Sequence, residues 1–286
     1  MASVSKATMK NMTWGTEIEC VGLSLERAAY VIAEACAGVV APGDGYRVNY
    51  AVTMMDGRKW NIVPDSSLND PLTTYSCEVV TPIMVGPDEI EIVQNVLRAL
   101  RTAGARVNQS CGQHVHVGLA GLNVKQISNV VRTAYRYEEV ILRAAGVQAR
   151  RTDRYCKRTP MEKVLALSSA KTFGDLQRAW YGGSTYPSRY DQSRYHGINL
   201  NSYFVRGTIE FRWFEGTMHA GELRATIMLA LAIVAHGAAR KTRAVVIDRA
   251  TITPTKACMG WLLSDGGVHD KTVLEHLTKR LPAEWC

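Results

Sequence analysis

The stretch Gly207-Thr-Ile-Glu-Phe-Arg-Trp-Phe-Glu-Gly-Thr217 constrains this chain more than any other, because it alternates as one β-strand with two dissimilar faces. Ile209, Phe211 and Trp213 point one way, and Thr208, Glu210, Arg212 and Phe214 the other. A carboxylate and a guanidinium backed by large apolar groups suit a cleft, although an isolated Glu-x-Arg strand is equally a surface cross-strand ion pair. The company it keeps decides between them.

The 286 residues, 47% of them hydrophobic, suffice for one large domain with an ordinary core, with or without a small appendage. A net charge of +8 favours anionic ligands such as nucleotides, phosphates or acidic substrates. Between Arg132 and Arg158 eight basic residues face three acidic ones, which fits a nucleic-acid or polyanion patch and also a solvated helix face. The seven cysteines are scattered and lack a Cys-x-x-Cys spacing, so a disulfide framework or zinc knuckle is not indicated and a reducing cytoplasm is expected. Met1 to Lys10 contains no apolar segment of the signal-peptide kind. The apolar run Ala225 to Ala239 is flanked by Glu222, Arg224, Arg240 and Lys241, which predicts a buried helix and no membrane association.

Other strands carry the remaining polar chemistry. In Trp14-Gly-Thr-Glu-Ile-Glu-Cys20, Glu17 and Glu19 share a face, where they are either solvated or neutralised by a divalent cation, Mg²⁺ or Mn²⁺ for oxygen ligands. In Ser110 to Gly118, His114 and His116 share a face, as metal ligands, phosphate contacts or ordinary satisfied histidines. Cys111 is a nucleophile or, more plainly, a small buried thiol. Cys77 to Pro82 is a further strand carrying Glu78, and Tyr46 to Ile62 a hairpin turning at Asp56-Gly57. Helices are predicted over 24–38, 87–103, 123–146, 222–240, in pieces over 160–180, and as two short ones in the tail from Thr253. The Gly-, Tyr- and Arg-rich segment 181–197 is a candidate flap, and Ile198 to Asn201 a strand forming a hairpin with the organising one.

In order, these motifs are Gly15-Thr-Glu17-Ile-Glu19, Asp65 with Ser67-Leu68, Glu78-Val-Val-Thr-Pro82, Cys111-Gly-Gln-His114-Val-His116-Val, Arg194-Tyr195 with Asn199-Leu200, and Gly207-Thr-Ile-Glu210-Phe-Arg212 followed by Gly216-Thr217. That order resembles the glutamine-synthetase-like carboxylate-amine ligases, and more closely the amidoligase family, over roughly residues 12 to 240. Ser66 stands where the family pattern more often has glycine. The resemblance implies an α+β fold: a curved antiparallel β-sheet with helices on its convex side and ATP with divalent cations on the concave face. It implies a catalytic domain over 12–245 and a helical appendage over 246–286. By the same analogy Glu17, Glu19, Glu78 and Glu210 are metal ligands, with His114 or His116 near a phosphate. Arg212 and Arg194 hold the γ-phosphoryl group, Asn199 the carboxylate or nucleotide, and Asp65 or Glu78 takes the proton of the amine. The implied activity is ATP- and Mg²⁺-dependent amide or isopeptide formation through an acyl phosphate, on a small carboxylate and amine or on a peptide or modified-base acceptor. The alternatives are a phosphotransferase of the same fold, a nucleic-acid-binding or DNA-modification accessory protein using residues 132–158, and a metal-binding β-barrel that ignores ATP.

Overall fold

The computed structural model describes residues 9–45, 48–184, 188 and 190–282. The chain is a mixed helix and sheet protein with a large antiparallel sheet, and it divides into two compact units. One unit comprises Thr13–Val115 and Phe214–Ile227. It contains β1 (Thr13–Val21), α1 (Leu25–Cys36), β2 (Val39–Gly45), β3 (Val48–Thr53), β4 (Lys59–Val63), β5 (Ser76–Val80), β6 (Met84–Val85), α2 (Ile90–Thr102) and the start of β7 (Gly112–Gly118). Its strands run in the order β2-β3-β4-β5-β1-β7, with β6 also on β1. Ile18, Cys20, Val52, Trp60, Ile62 and Val79 alternate inward and are fully buried or nearly so. α1 packs on β3, β4, β5 and α2, contributing Ala28, Ala29 and Ile32, while α2 contributes Val93, Val96, Leu97 and Leu100. Each such aliphatic side chain larger than alanine contributes roughly 1.5–3 kcal/mol by leaving water. The opposite sheet face is thereby left to polar residues.

The other unit holds Met1–Met12, His116–Trp213 and Met228–Cys286. It contains α3 (Val124–Ala144), α4 (Ala149–Arg154), α5 (Met161–Ser169), α6 (Phe173–Tyr181), β8 (Ile198–Asn199), α7 (Asn201–Arg206), most of β9 (Thr208–Glu215), the end of α8 (Ala220–Ala239), α9 (Lys256–Asp265) and α10 (Lys271–Thr278). Single 3-10 turns sit at Gln192–Tyr195 and Arg249–Thr251. The order here is β7-β9-β8, and β7, β9 and α8 each have residues in both units. Asn123 and Gln126 close a capping box at the start of α3, satisfying donors the helix leaves open. α8 is long and apolar enough to cross a membrane by length and composition, yet most of it is buried inside the protein, as a core helix would be.

Some segments depart from the sequence pattern. β2 was not expected, since Pro42 and Gly43 discourage a strand; β2 lies at the end of the strand order, where a proline without an N–H is tolerated. Tyr46, expected in the hairpin, and residues 185–187 and 189 of the candidate flap lie outside the described residues. The strand expected over Ile198 to Asn201 stops at Asn199 and α7 follows, so β8 and β9 pair antiparallel without forming a hairpin. The Asn199 side chain accepts from the Ser202 amide at 3.3 Å, and Tyr203 and Phe204 pack on Phe173 and Tyr181, contacts that no local pattern contains.

α1 ends at Cys36, two residues before its glycine. Ala37 takes the left-handed conformation (φ 51) that glycine usually supplies. Gly38 serves a different need, since a Cβ there would come within 2.7 Å of Val52 Cγ1 and 2.9 Å of the Thr53 carbonyl on β3. Ala37→Gly should therefore raise unfolding stability by about 0.5–1 kcal/mol, measurable by urea denaturation; a loss of stability would show that Ala37 is held by packing rather than strained.

Candidate functional site

In the first unit the polar face of β1 sets the geometry. Antiparallel register places Glu19 directly opposite Glu78 on β5. After β4 the chain turns at Asp65, whose carboxylate accepts from the Ser67 amide at 2.8 Å. That turn needs no positive φ at Ser66, so serine serves as well as the glycine of the family pattern. Glu19, Asp65 and Glu78 each offer a carboxylate oxygen, and these oxygens lie within 4.8 Å of one another. At that separation two carboxylates repel by roughly 3–4 kcal/mol at an effective dielectric of about 20. Three oxygen donors so arranged suit a hard cation such as Mg²⁺ or Mn²⁺ far better than a soft one.

β7 brings the rest. Glu19 is almost fully buried and accepts from the Gly112 amide at 2.5 Å. The His114 imidazole lies between two carboxylates, Nδ1 at 3.0 Å from Glu17 and Nε2 at 3.8 Å from Glu19. On the reverse face Thr16 donates to the His114 carbonyl at 2.7 Å, and Thr226 donates to Gln113 at 2.9 Å, which fixes β7 in register with β1. Cys111 is buried and its thiol is pushed up to about 11 by desolvation, a buried thiol rather than a nucleophile.

In the second unit Glu210 is the centre. It is almost fully buried and accepts from Asn199 Nδ2 at 2.6 Å and from Arg212 Nη1 in an ion pair, with His116 Nε2 at 3.9 Å. Arg212 is held along its length. Its amide donates to the Gly197 carbonyl at 2.9 Å, its Nε to the Tyr155 carbonyl at 3.3 Å, and its own carbonyl accepts from Arg151 at 3.1 Å. His116 Nδ1 lies 3.0 Å from Thr208 Oγ1 and 3.3 Å from Ser202 Oγ. Arg194 instead lies over the rings of Tyr195 and Tyr190, at 4.8 and 5.7 Å, rather than on the Glu210–Arg212 pair.

Sequence reasoning thus named both sets of acids but missed Arg151, Tyr155 and Ser202, which act through backbone groups or short hydroxyl contacts and leave no motif. The basic stretch divides: Arg132 and Arg151 are buried, Arg132 donating to the Ala244 carbonyl, while Arg143 and Arg158 both pair with Glu139 at 3.2 Å.

One unit thus carries three clustered carboxylates beside a hydrogen-bonded histidine, and the other a buried glutamate paired with a clamped arginine. The chain belongs to the family described as "Putative amidoligase enzyme", which it matches over residues 10–234. No curated protein matches it. Among solved structures it is similar to a bifunctional glutathione synthetase from Pasteurella multocida, at 12% identity and a TM-score of 0.43, covering 96% of this chain and 48% of that one. The chain therefore spans about half the length of that protein.

If the acid trio holds a cation, Mn²⁺ should raise the melting temperature of metal-stripped protein, and Glu19→Gln or Glu78→Gln should abolish the increment while melting no lower than wild type without metal. An undiminished Mn²⁺ increment in both variants would place the cation elsewhere.

Proposed function

We propose that this protein is an ATP-dependent carboxylate-amine ligase, with the glutamine-synthetase-like sheet as its scaffold. The observation that carries the reading is the Glu19, Asp65, Glu78 cluster: three acids drawn together in one unit are costly to a binding module and useful to an enzyme that handles a triphosphate. Family membership supports the same reaction class.

In this reading a carboxylate oxygen of the substrate attacks the γ-phosphorus of ATP and ADP leaves. The amine then attacks the acyl carbon of the acyl phosphate, and inorganic phosphate departs carrying the proton that the amine gives up. Bound Mg²⁺ supplies charge neutralisation of the triphosphate. Glu19, Asp65 and Glu78 hold and fix that charge, so Asp65 and Glu78, both candidate bases from sequence, take ligand roles here. Glu17 is oriented by His114 for the same task. Arg212, already aligned by Tyr155, Arg151 and Gly197, meets oxyanions without having to reorganise, the kind of fixed donor that lowers barriers most. Glu210 and Asn199 hold it and its surroundings in place. The acceptor is a small amine, a peptide or a modified base, and Arg194 and His116 are assigned to phosphate or substrate.

Incubation with ATP, Mg²⁺ and pooled amino acids should yield ADP, phosphate and a new amide, detected by mass spectrometry. Arg212→Ala and Glu210→Ala should each lower turnover by at least about 10²-fold with the fold retained by circular dichroism. Wild-type rates in either variant would overturn the assignment, and a phosphorylated product without an amide would favour the phosphotransferase.

A further inference from the structure

Glu138 lies in α3 with no exposed surface at all. Three donors from separate segments meet its carboxylate: Arg249 Nη1 at 2.7 Å, the Trp213 indole at 3.3 Å and the Thr159 amide at 3.4 Å. Arg249 also donates to the Thr159 carbonyl and rests over the Tyr135 ring at 4.8 Å. A buried ion pair of this kind rarely adds stability over well-packed apolar residues of the same volume, so its presence calls for another reason.

The reason is on β9. The indole that Glu138 grips is pressed against Gly197, where a Cβ would come within 2.1 Å of Trp213 Nε1. The Gly197 carbonyl is the acceptor for the Arg212 amide. Trp213 and Gly197 together thus set where Arg212 sits, and Glu138 sets Trp213. We propose that Glu138 is a positioning residue for Arg212, acting through Trp213, and that Arg249, which lies beyond the family-matched segment, is its counter-ion. The proposal takes the role of Arg212 from the function given above.

The network is poised near neutrality. Burial pushes the Glu138 carboxyl from 4.5 up to about 7, opposed by Arg249 and, more weakly, Arg158; Trp213 and Thr159 supply hydrogen bonds without charge. A carboxylic acid with a raised pKa favours the folded state below about 4.5, and that contribution is lost as pH rises through about 7. Ionised Glu138 therefore lowers stability while it holds Trp213 and Arg249, which is the opposite of what a purely structural role requires.

The test uses the full chain and ¹⁵N NMR of the Trp213 indole and Arg212 Nε signals, assigned with Trp213→Phe and Arg212→Lys, over roughly pH 5 to 9. Both signals should titrate together with a midpoint near 7 in the wild type, and both should become flat in Glu138→Gln, with Glu138→Asp restoring part of the change. MgATP affinity measured by calorimetry should fall about tenfold or more in the wild type as pH drops through that midpoint, and Glu138→Gln should stay weak at every pH. Folded Glu138→Gln with an Arg212 signal and MgATP affinity like those of the wild type would overturn the proposal, as would wild-type signals that do not move. Should the wild type bind no MgATP at any pH, the ligase reading fails, and the two NMR signals still decide whether Glu138 positions Arg212.

Discussion

Glu19 and Glu78 face each other on paired antiparallel strands, and the mutual repulsion of such carboxylates is the constraint the first unit is built to withstand. Nothing in the sheet ladder demands acids there; serine or threonine would pair as well. What holds them is a set of neutral or convertible donors. The Gly112 amide reaches Glu19, and His114 stands between Glu17 and Glu19. The reverse face, locked by Thr16 and Gln113 with Thr226, prevents the one-residue slip that would turn every acid into the core. Rigid apolar packing behind is what allows like charges to remain close in front.

Legibility from sequence followed the same physics. Period-two alternation is a strong signal where one face is buried, so Glu17 with Glu19, Glu210 with Arg212 and His114 with His116 were placed on their strands from sequence alone. The pattern weakens wherever a long-range contact decides the backbone. Asn201 to Arg206 carries Tyr203, Phe204 and Val205, a strand-like composition, yet the Asn199 side chain and the rings of Phe173 and Tyr181 favour a helix. β2 was hidden for the opposite reason, since its proline is excluded only from interior strands. Glu138 could not be singled out because an acid next to another, Glu139, in an amphipathic helix reads as solvated, and only the arrival of Arg249 from 111 residues away makes it an interior group. Asp65 was named from sequence as a candidate base, not as the third acid beside Glu19 and Glu78, since that depends on how the chain turns after β4.

The two units handle their acids in contrary ways. Glu19, Asp65 and Glu78 bring three carboxylate oxygens within 4.8 Å of one another, and in the function proposed above a divalent cation would balance them. Glu210 is already matched, by Arg212 in charge and by Asn199 in hydrogen bonding. A guanidinium whose backbone and Nε are tied to Gly197, Tyr155 and Arg151 is a donor array of fixed direction. Fixed direction matters for an oxyanion that exists only during reaction, because side chains that must first reorient lose much of what they could contribute. Excess negative charge gathers cations, whereas a clamped arginine waits for anions; the reaction proposed above, a carboxylate activated by a nucleotide triphosphate, would use one of each.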